Sequence, residues 1–221
     1  MKLFLDTANL EKIRRLNRMG IVDGITTNPT LVAQEPGEFE SIIVAICKEV
    51  KGDVSAEVVA TDFDGMVSEA KHLSALAPNV VVKIPMIPEG LRATTAVSGM
   101  GMRVNMTLIF SANQGLLAAK AGASFVSPFI GRLDDTGQRG MDVVEDLVKI
   151  RDNYGLKTEV LVGSIRHTQH VLEAAKAGAD ISTMPPEVMD KMMQHPLTDL
   201  GLKRFLDDWE KAKRSKPSIT V

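Results

Sequence analysis

The sequence predicts an α/β protein, a single-domain (β/α)8 barrel (a TIM barrel) followed by an extra C-terminal helix. Short apolar runs alternate with helical patterns eight times along the 221 residues, which indicates parallel strands joined by crossover helices. The run at residues 80–85 is apolar on both strand faces, as in a parallel sheet. A five-residue repeat, AKAGA at 119–123 and 175–179, also precedes a strand in both copies.

The first half of the chain contains four predicted strand–helix units. Asn9 and Asp62 stand before two of the helices, where a short polar side chain caps the first turn. Pro29 is expected to end the second strand, because proline has no N–H to donate to a sheet. We expect strands at 2–6, 24–29, 54–59 and 80–85, and helices at 9–19, 36–50, 63–76 and 89–98.

The second half repeats the same alternation four more times. Gly122 and Gly178, in the two copies of the repeat, suit the C-terminal caps of helices. We expect strands at 102–107, 124–129, 158–162 and 180–183, helices at 112–121, 139–153 and 168–177, and a short helix that begins at Pro186.

The chain has no low-complexity tract and no linker rich in Pro, Gly or Ser. We therefore expect one domain, in which residues 1–196 form the catalytic barrel and residues 197–221 form a helix and tail of the same domain. Leu200, Phe205 and Trp209 recur at helical spacing in this last segment. Such an apolar face needs a partner surface, either on its own barrel or on a neighbouring subunit.

Composition excludes several classes of function. A net charge of −2 favours neither nucleic acid nor an anionic membrane surface, and no run is long enough to span a bilayer. The single cysteine, Cys47, lies in an apolar helical pattern and fits a reducing compartment. His167 and His170 are the only histidines at ligand spacing, and we expect both on an exposed helix face, without a metal. The protein is predicted to be cytoplasmic.

Lys83 is the one charged residue within the run at 80–85. Burial disfavours the charged form of an amine, and a neutral amine can attack a carbonyl to form a Schiff base. The alternative is a lysine at a strand end whose stem packs while its ammonium group reaches solvent. This segment alone does not separate the two interpretations.

Polar side chains end most of the predicted strands, where the active site of such a barrel lies. Each has a structural alternative, such as an Asp6 that caps a helix or an Arg132 that pairs with Asp134 or Asp135. On one face of a barrel, however, they would form an active site. The residues are Asp6, Thr26, Asn28, Glu57, Lys83, Asn105, Thr107, Ser127, Arg132, Ser164 and Arg166.

This set of side chains favours carbonyl chemistry on a phosphorylated polyol. Glu57 is a candidate for the proton shuttling that imine formation needs, and Asp6 for taking a hydroxyl proton as a carbon–carbon bond breaks. Asn28 and Asn105 can hold hydroxyl groups. Arg132, Arg166 and the start of the following helix offer donors to a phosphate.

Five segments of the chain resemble motifs of the transaldolases, and they occur in the family's order over nearly the whole chain. They are DTAN at 6–9, GITTNP at 24–29, VKIP at 82–85, NMTL at 105–108 and SPFIGR at 127–132. The resemblance, which is to the short members, implies a Schiff-base transferase of the pentose phosphate pathway that needs no cofactor. It would move a dihydroxyacetone unit from sedoheptulose 7-phosphate or fructose 6-phosphate to glyceraldehyde 3-phosphate or erythrose 4-phosphate.

The same resemblance implies a role for each matching residue. Lys83 would form the imine, Asp6 would act as acid and base, and Glu57 would position a catalytic water through Thr107. The substrate would contact Thr26, Asn28, Asn105, Ser127, Phe129, Arg132, Ser164 and Arg166. The short members form ring-like homo-oligomers, such as a decamer of two stacked pentamers.

Two alternatives stay open. Fructose-6-phosphate aldolase, a close relative that releases free dihydroxyacetone, resembles this chain but has glutamine in place of Glu57 and tyrosine in place of Phe129. Both residues of this chain therefore favour a transaldolase, because phenylalanine cannot donate the proton that would release the bound unit. The second alternative, from another class, is a barrel that binds phosphorylated ligands without catalysis.

Overall fold

The computed structural model describes residues 1–215, in which eight parallel strands form a closed barrel in chain order. The first strand pairs with both the second and the eighth, which closes the sheet. The predicted fold class is therefore confirmed. The strands are β1 (Lys2–Asp6), β2 (Gly24–Thr26), β3 (Asp53–Glu57), β4 (Val80–Pro85), β5 (Val104–Ile109), β6 (Phe125–Pro128), β7 (Glu159–Val162) and β8 (Ile181–Met184).

Helices follow the strands and surround the barrel. Asn9 and Asp62 cap two of them as predicted, accepting hydrogen bonds from the backbone N–H groups of Lys12 and Gly65. The helices are α1 (Leu10–Asn17), α2 (Pro29–Ala33), α3 (Phe39–Glu49), α4 (Phe63–Leu76), α5 (Pro88–Gly99), α6 (Ala112–Lys120), α7 (Ile130–Asp134), α8 (Gly140–Tyr154), α9 (Thr168–Ala177), α10 (Pro186–Met192) and α11 (Pro196–Ser215).

Two short helices, α2 and α7, were not predicted from the sequence. The strand predicted at 24–29 ends at Thr26, and Pro29 begins α2. Proline fits this position because the first turn of a helix leaves its N–H groups unpaired in any case. Asn28 caps α2, since its Oδ1 accepts from the N–H of Leu31 at 2.9 Å.

The strands β3 and β5 differ from their predicted bounds by up to two residues, because neighbouring groups compete for the backbone, and β6, β7 and β8 differ by one residue at one or both ends. Val59 was expected in β3, but its N–H donates to the Glu69 carboxylate at 2.7 Å. Met102 was expected in β5, but its N–H bonds to the carbonyl of Val97 at the end of α5. At the other end of β5, Leu108 has a φ of 58° where the pairing register shifts, so the strand ends in a bulge.

The barrel interior has an apolar layer below a polar one. Phe4, Val81, Phe125, Leu161 and Ile181 form the apolar cluster, each on a different strand. Side chains two residues apart on a strand point to the same face. The next inward positions are therefore Asp6, Lys83, Ser127, Gly163 and Thr183, all of which line one cavity. The alternation of side chains along the strands thus places the polar groups of the cavity next to the apolar cluster of the barrel interior.

The last helix, α11, has no buried residue along its described length. Leu197, Leu200 and Phe205 are among its exposed apolar side chains. The predicted helix is confirmed, but its apolar face is not covered by its own barrel in the part of the chain that the structure describes. Residues 216–221 of the predicted tail lie outside the described residues.

Two further features of the described chain bear on the class of protein. No helix among residues 1–215 has the length and apolar character needed to cross a bilayer. Cys47 is buried, and burial raises the pKa of its thiol to about 11. A thiol of this kind is protonated at neutral pH and is a core side chain, as predicted.

Candidate active site

A cavity of about 240 Å³ opens at the carboxyl ends of the barrel strands. It contains most of the site residues predicted from sequence. Glu57, Asn105 and Thr107 are the predicted residues that are not part of its wall. The wall consists of Asp6, Thr26, Asn28, Lys83, Ser127, Phe129, Leu161, Gly163, Thr183, Pro185 and the residues Arg132, Ser164, Ile165 and Arg166.

Lys83 lies inside the barrel, and the residue is only 4% exposed. Its Nζ is 2.9 Å from Oε2 of Glu57 and donates to the carbonyl oxygen of Thr27 at 3.0 Å. The register of β3 and β4 makes Glu57 and Lys83 direct neighbours. The interpretation in which this lysine reaches solvent is therefore wrong.

The contact between Glu57 and Lys83 is direct. Sequence reasoning had Glu57 act on a water through Thr107, whereas the carboxylate here touches the amine itself. A carboxylate at hydrogen-bond distance can take the ammonium proton and leave a nucleophilic amine. Thr107 is fully buried, and its hydroxyl has no hydrogen-bond partner among the described residues.

Asp6 is held by a chain of two threonine hydroxyls. Its Oδ1 accepts from Thr26 Oγ1 at 2.7 Å, and Thr26 Oγ1 lies 2.7 Å from Thr183 Oγ1. Since Thr26 has one proton and gives it to Asp6, Thr183 is the donor of the second bond. Thr183 was missed by the sequence analysis. The predicted eighth strand ends on this polar residue, so the criterion used for the other site residues, a polar side chain at the end of a strand, also applies to it.

Asn105 lies behind Ser127 instead of at the cavity surface. Ser127 donates to Asn105 Oδ1 at 2.6 Å, and Asn105 Nδ2 donates to Ser55 Oγ at 3.1 Å. Both ends of the amide therefore make one hydrogen bond each. Each end has one further hydrogen-bonding position, and the direct contact of Asn105 with a substrate hydroxyl stays a prediction. Ser127 keeps its lone pairs for a hydroxyl donor.

The Phe129 ring is part of the cavity wall. Its centroid is 6.0 Å from Lys83 Nζ, and Phe110 packs edge-on against it at 6.0 Å without reaching the wall. The side chain at position 129 therefore offers no hydroxyl to the amine. Phe110 was not predicted as a site residue, and no sequence signal other than its position directly after β5 indicates it.

Two arginines reach the cavity from different segments. Arg132 is on α7, and its Cζ lies 4.9 Å from the Phe129 ring centroid. Arg166 follows β7, and its Nη2 donates to Asp135 at 2.8 Å. Asp134 instead accepts from the N–H of Gly140 at 2.9 Å and lies near His170. The suggested pairing of Arg132 with Asp134 or Asp135 is thus not formed.

The loop that carries Arg166 packs closely against α7. The N–H of Gly131 donates to the carbonyl of Ser164 at 3.1 Å. A Cβ on Gly131 would lie 2.2 Å from this carbonyl oxygen and 2.5 Å from Arg166 Nε. Ser164 has a φ of 59°, in the left-handed region that a serine rarely adopts. Only glycine at position 131 allows this approach.

The expectation that His170 is a surface residue is wrong. The residue is 7% exposed, and Nε2 lies 3.1 Å from Asp134 Oδ2. The physical reason is α7, which sequence reasoning did not predict and which brings Asp134 over the first turn of α9. His167 is exposed and caps α9. No group of three or more His, Cys, Asp or Glu that could hold a metal occurs in residues 1–215.

Comparison with known proteins gives a consistent result. Residues 3–216 match the family model described as Transaldolase/Fructose-6-phosphate aldolase. A probable transaldolase of Nitrosopumilus maritimus is 59% identical over 222 residues, which cover 100% of both chains. A probable transaldolase of Petrotoga mobilis is 58% identical and covers 96% of each chain. One from Methanococcus maripaludis is also 58% identical, over 95% of this chain and 98% of the relative.

Proposed function

The chain belongs to the transaldolase/fructose-6-phosphate aldolase family, and we propose that its enzymatic activity, that of a transaldolase, proceeds through a Schiff base on Lys83. The observation that carries this proposal is the position of the amine. It lies at the base of the cavity, shielded from water and 2.9 Å from the Glu57 carboxylate. An exposed lysine would remain an ammonium ion and would not attack a carbonyl.

The first half of the reaction forms the imine. Glu57 takes a proton from the ammonium group of Lys83, and the neutral amine adds to the ketone carbon of the sugar phosphate. The resulting hydroxyl accepts a proton and leaves as water, which gives the protonated imine. Glu57 and the buried Thr107 hydroxyl hold the water through which these protons move.

The second half breaks and remakes a carbon–carbon bond. Asp6 takes the proton of the substrate hydroxyl next to the bond, the bond breaks, and the electron pair moves into the imine to give an enamine. The hydrogen bond from Thr26 fixes the orientation of the Asp6 carboxylate for this step. The aldose phosphate leaves, and a second aldehyde is attacked by the enamine in the reverse sequence.

Phe129 favours transfer over release. A proton donor beside the enamine carbon would convert it into dihydroxyacetone imine, which water then hydrolyses. The ring of Phe129 occupies the wall near Lys83, 6.0 Å from the amine, and offers no such proton. The enamine therefore persists until an acceptor aldehyde enters the cavity.

The remaining polar groups recognise a phosphorylated sugar. Asn28 keeps its amide N–H groups for the cavity, because its oxygen caps α2. Arg132, Arg166 and Ser164 also line the cavity, where they bind the phosphate. We propose sedoheptulose 7-phosphate or fructose 6-phosphate as donor, and glyceraldehyde 3-phosphate or erythrose 4-phosphate as acceptor, within the pentose phosphate pathway.

We also propose that the protein is a cytoplasmic homo-oligomer, a ring such as two stacked pentamers. The exposed apolar side chains of α11 support an assembly in which residues 197–221, part of the barrel domain, contact a neighbouring subunit. Neither a nucleic acid nor a membrane is a partner in this proposal. No cofactor is needed, since the substrate itself supplies the carbonyl group.

Turnover of fructose 6-phosphate with and without erythrose 4-phosphate tests the proposed function. We expect glyceraldehyde 3-phosphate to form continuously only when the acceptor is present, and not at all in a Lys83→Met protein. Lys176→Met, which removes an exposed lysine on α9, is the matched control and should keep full activity. Equal turnover without acceptor would make the protein an aldolase, and full activity of Lys83→Met would exclude the Schiff base.

A further inference from the structure

His170 is a buried histidine with both ring nitrogens in use, and the proposed reaction does not involve it. Nδ1 accepts the N–H of Arg166 at 3.3 Å, and Nε2 lies 3.1 Å from Asp134 Oδ2. A neutral ring with its proton on Nε2 satisfies both contacts, as acceptor on one side and donor on the other. The side chain therefore joins the loop after β7 to α7.

The two joined segments carry the two arginines of the cavity. Arg132 is part of α7, and Arg166 is part of the loop at 163–167. Three contacts hold these segments together: His170 with Asp134, the Arg166 guanidinium with Asp135, and the N–H of Gly131 with the carbonyl of Ser164. Of the two contacts between side chains, the one through His170 is the less exposed, with 9% and 38% of its two side chains exposed against 51% and 64% for Arg166 and Asp135.

The loop at 163–167 needs such a restraint. Ser164 has a left-handed backbone, a conformation that persists only where the surrounding structure holds it. Two residues later, the N–H of Arg166 is fixed by His170. Asp134 is itself fixed, because its second oxygen accepts from the N–H of Gly140 at the start of α8. The histidine thus connects the strained loop to a rigid part of the fold.

We propose that His170 is a positioning residue for anion recognition: its Nδ1 acceptor fixes the backbone N–H of Arg166, so that Arg166 faces the same phosphate as Arg132, and Asp134 on α7 orients the imidazole ring for this contact. The identity of this anion as the phosphate of a sugar substrate depends on the proposed function, whereas the positioning role does not. His170 touches neither the substrate nor the reacting atoms. Its effect reaches the anion through the backbone of Arg166.

Calorimetric titration with inorganic phosphate tests this role on the full-length protein. In His170→Ala the Arg166 N–H loses its acceptor, and we expect phosphate to bind about tenfold more weakly. In His170→Asn the Oδ1 atom replaces Nδ1 as acceptor, so affinity should stay within about twofold of the wild type. His72→Ala removes an exposed histidine on α4 and is the matched control, which should bind phosphate as the wild type does.

A second readout separates positioning from a general loss of structure. Dihydroxyacetone has no phosphate, so its borohydride-trapped adduct on Lys83 should form equally well in the wild type, His170→Ala and His170→Asn. If His170→Ala does not fold, His170→Gln replaces it. Glutamine keeps the volume and a donor for Asp134 but places no acceptor at Nδ1, so it should also weaken phosphate binding.

Several results would overturn the proposal. One is a phosphate affinity of His170→Ala or His170→Gln equal to that of the wild type, and another is a loss of affinity in His170→Asn as large as in His170→Ala. The others are a loss of the dihydroxyacetone adduct in parallel with the loss of phosphate affinity, and a wild-type protein that binds no phosphate. A wild type that shows the predicted pattern of phosphate affinities but transfers no three-carbon unit would support the role of His170 and refute the proposed function. Phosphate affinity therefore tests the role of His170, and transfer of the three-carbon unit tests the proposed function.

Discussion

Lys83 and Glu57 are in contact at the base of the cavity, with 5% and 14% of their side chains exposed. One proton can be transferred between the amine and the carboxylate. Lys83 Nζ is 2.9 Å from the carboxylate and donates to the carbonyl of Thr27 at 3.0 Å. The reaction needs the amine. Because Glu57 is already in contact, the proton can move without any rearrangement of the site, and its transfer to the carboxylate leaves the nucleophile in place.

The direct contact leads to a prediction for Glu57→Gln. The amide cannot accept the ammonium proton, so we expect kcat to fall by about a hundredfold to ten-thousandfold, the usual size of a general-base contribution. The rate of imine formation, followed by stopped-flow with borohydride quenching, should fall in parallel. Glu159→Gln, which removes a carboxylate that pairs with Lys2 outside the cavity, should leave kcat unchanged. A kcat within about twofold of the wild type in Glu57→Gln would remove Glu57 from the proton path.

His170 gives a prediction for stability as a function of pH. Burial, reinforced by the adjacent His167 ring and by Arg166, lowers the pKa of His170 below its usual value of about 6.5, although Asp134 and Glu173 oppose the shift. The unfolded chain then takes up a proton more readily than the folded protein does. Folding stability should therefore be fully present above about pH 6.5 and should fall as the pH decreases below it.

Urea unfolding at several pH values between about 7.5 and 5.5 measures this effect. The free energy of unfolding should decrease less on acidification in His170→Asn than in the wild type, because the variant has no ring to protonate. Identical slopes for the two proteins would show that the buried ring does not contribute to acid destabilisation.

Among the elements, the sequence predicts the long periodic segments and the short helix at Pro186, and it misses the two shortest helices, α2 and α7. The run at 80–85 and the helix at 63–76 were predicted with the observed bounds, because apolar period and caps agree there. The helices α2 and α7 have five residues each, too few for a period to be visible. Missing α7 also hid the burial of His170, since Asp134 reaches the histidine from that helix.

Contacts across the barrel could not be predicted for a related reason. Polar strand ends identified most of the cavity wall from the sequence. The pairing of Glu57 with Lys83, however, depends on the register of β3 against β4, and the position of Asn105 behind Ser127 depends on the packing of the interior. Each of these contacts depends on two elements together, so the sequence of either element alone does not predict it.

Gly131 allows a test at this scale. In Gly131→Ala the new Cβ would lie 2.2 Å from the Ser164 carbonyl oxygen and 2.5 Å from Arg166 Nε, so the loop must move away from α7. We expect KM for a phosphorylated donor to rise by about a hundredfold, as for a misplacement of about 1 Å. Steady-state kinetics measure this change.

Gly99→Ala is the matched control for that substitution. Nothing lies within 4 Å of a Cβ added there, at the end of α5, so kinetics and melting temperature should match the wild type or improve slightly. Wild-type KM in Gly131→Ala would mean that the approach of the loop to α7 is not required for substrate binding.

At the scale of the whole molecule, α11 is the last helix of the described residues, and its apolar side chains face solvent in the single chain. Phe205 is 73% exposed, and Leu197 and Leu200 are exposed as well. A surface of this kind on a helix of 20 residues is typical of an interface. The sequence predicted both the helix and its need for a covering surface, and among residues 1–215 its own barrel does not provide that surface.

We therefore expect the wild type to be an oligomer in solution and Phe205→Glu to dissociate it, because a charge in an apolar interface is costly. Light scattering coupled to gel filtration measures the mass of each protein. Lys203→Ala, an exposed polar position on the same helix, should retain the wild-type mass. A monomeric wild type at micromolar concentration would contradict the proposed assembly.

Reduction of the enzyme with borohydride in the presence of fructose 6-phosphate, followed by peptide mapping, tests the role of Lys83. We expect a single stable adduct of the three-carbon unit on the peptide that contains Lys83, and no adduct in Lys83→Met. An adduct on another lysine, or full enzymatic turnover without any trapped adduct, would contradict the claim that the buried amine of Lys83 carries the transferred unit.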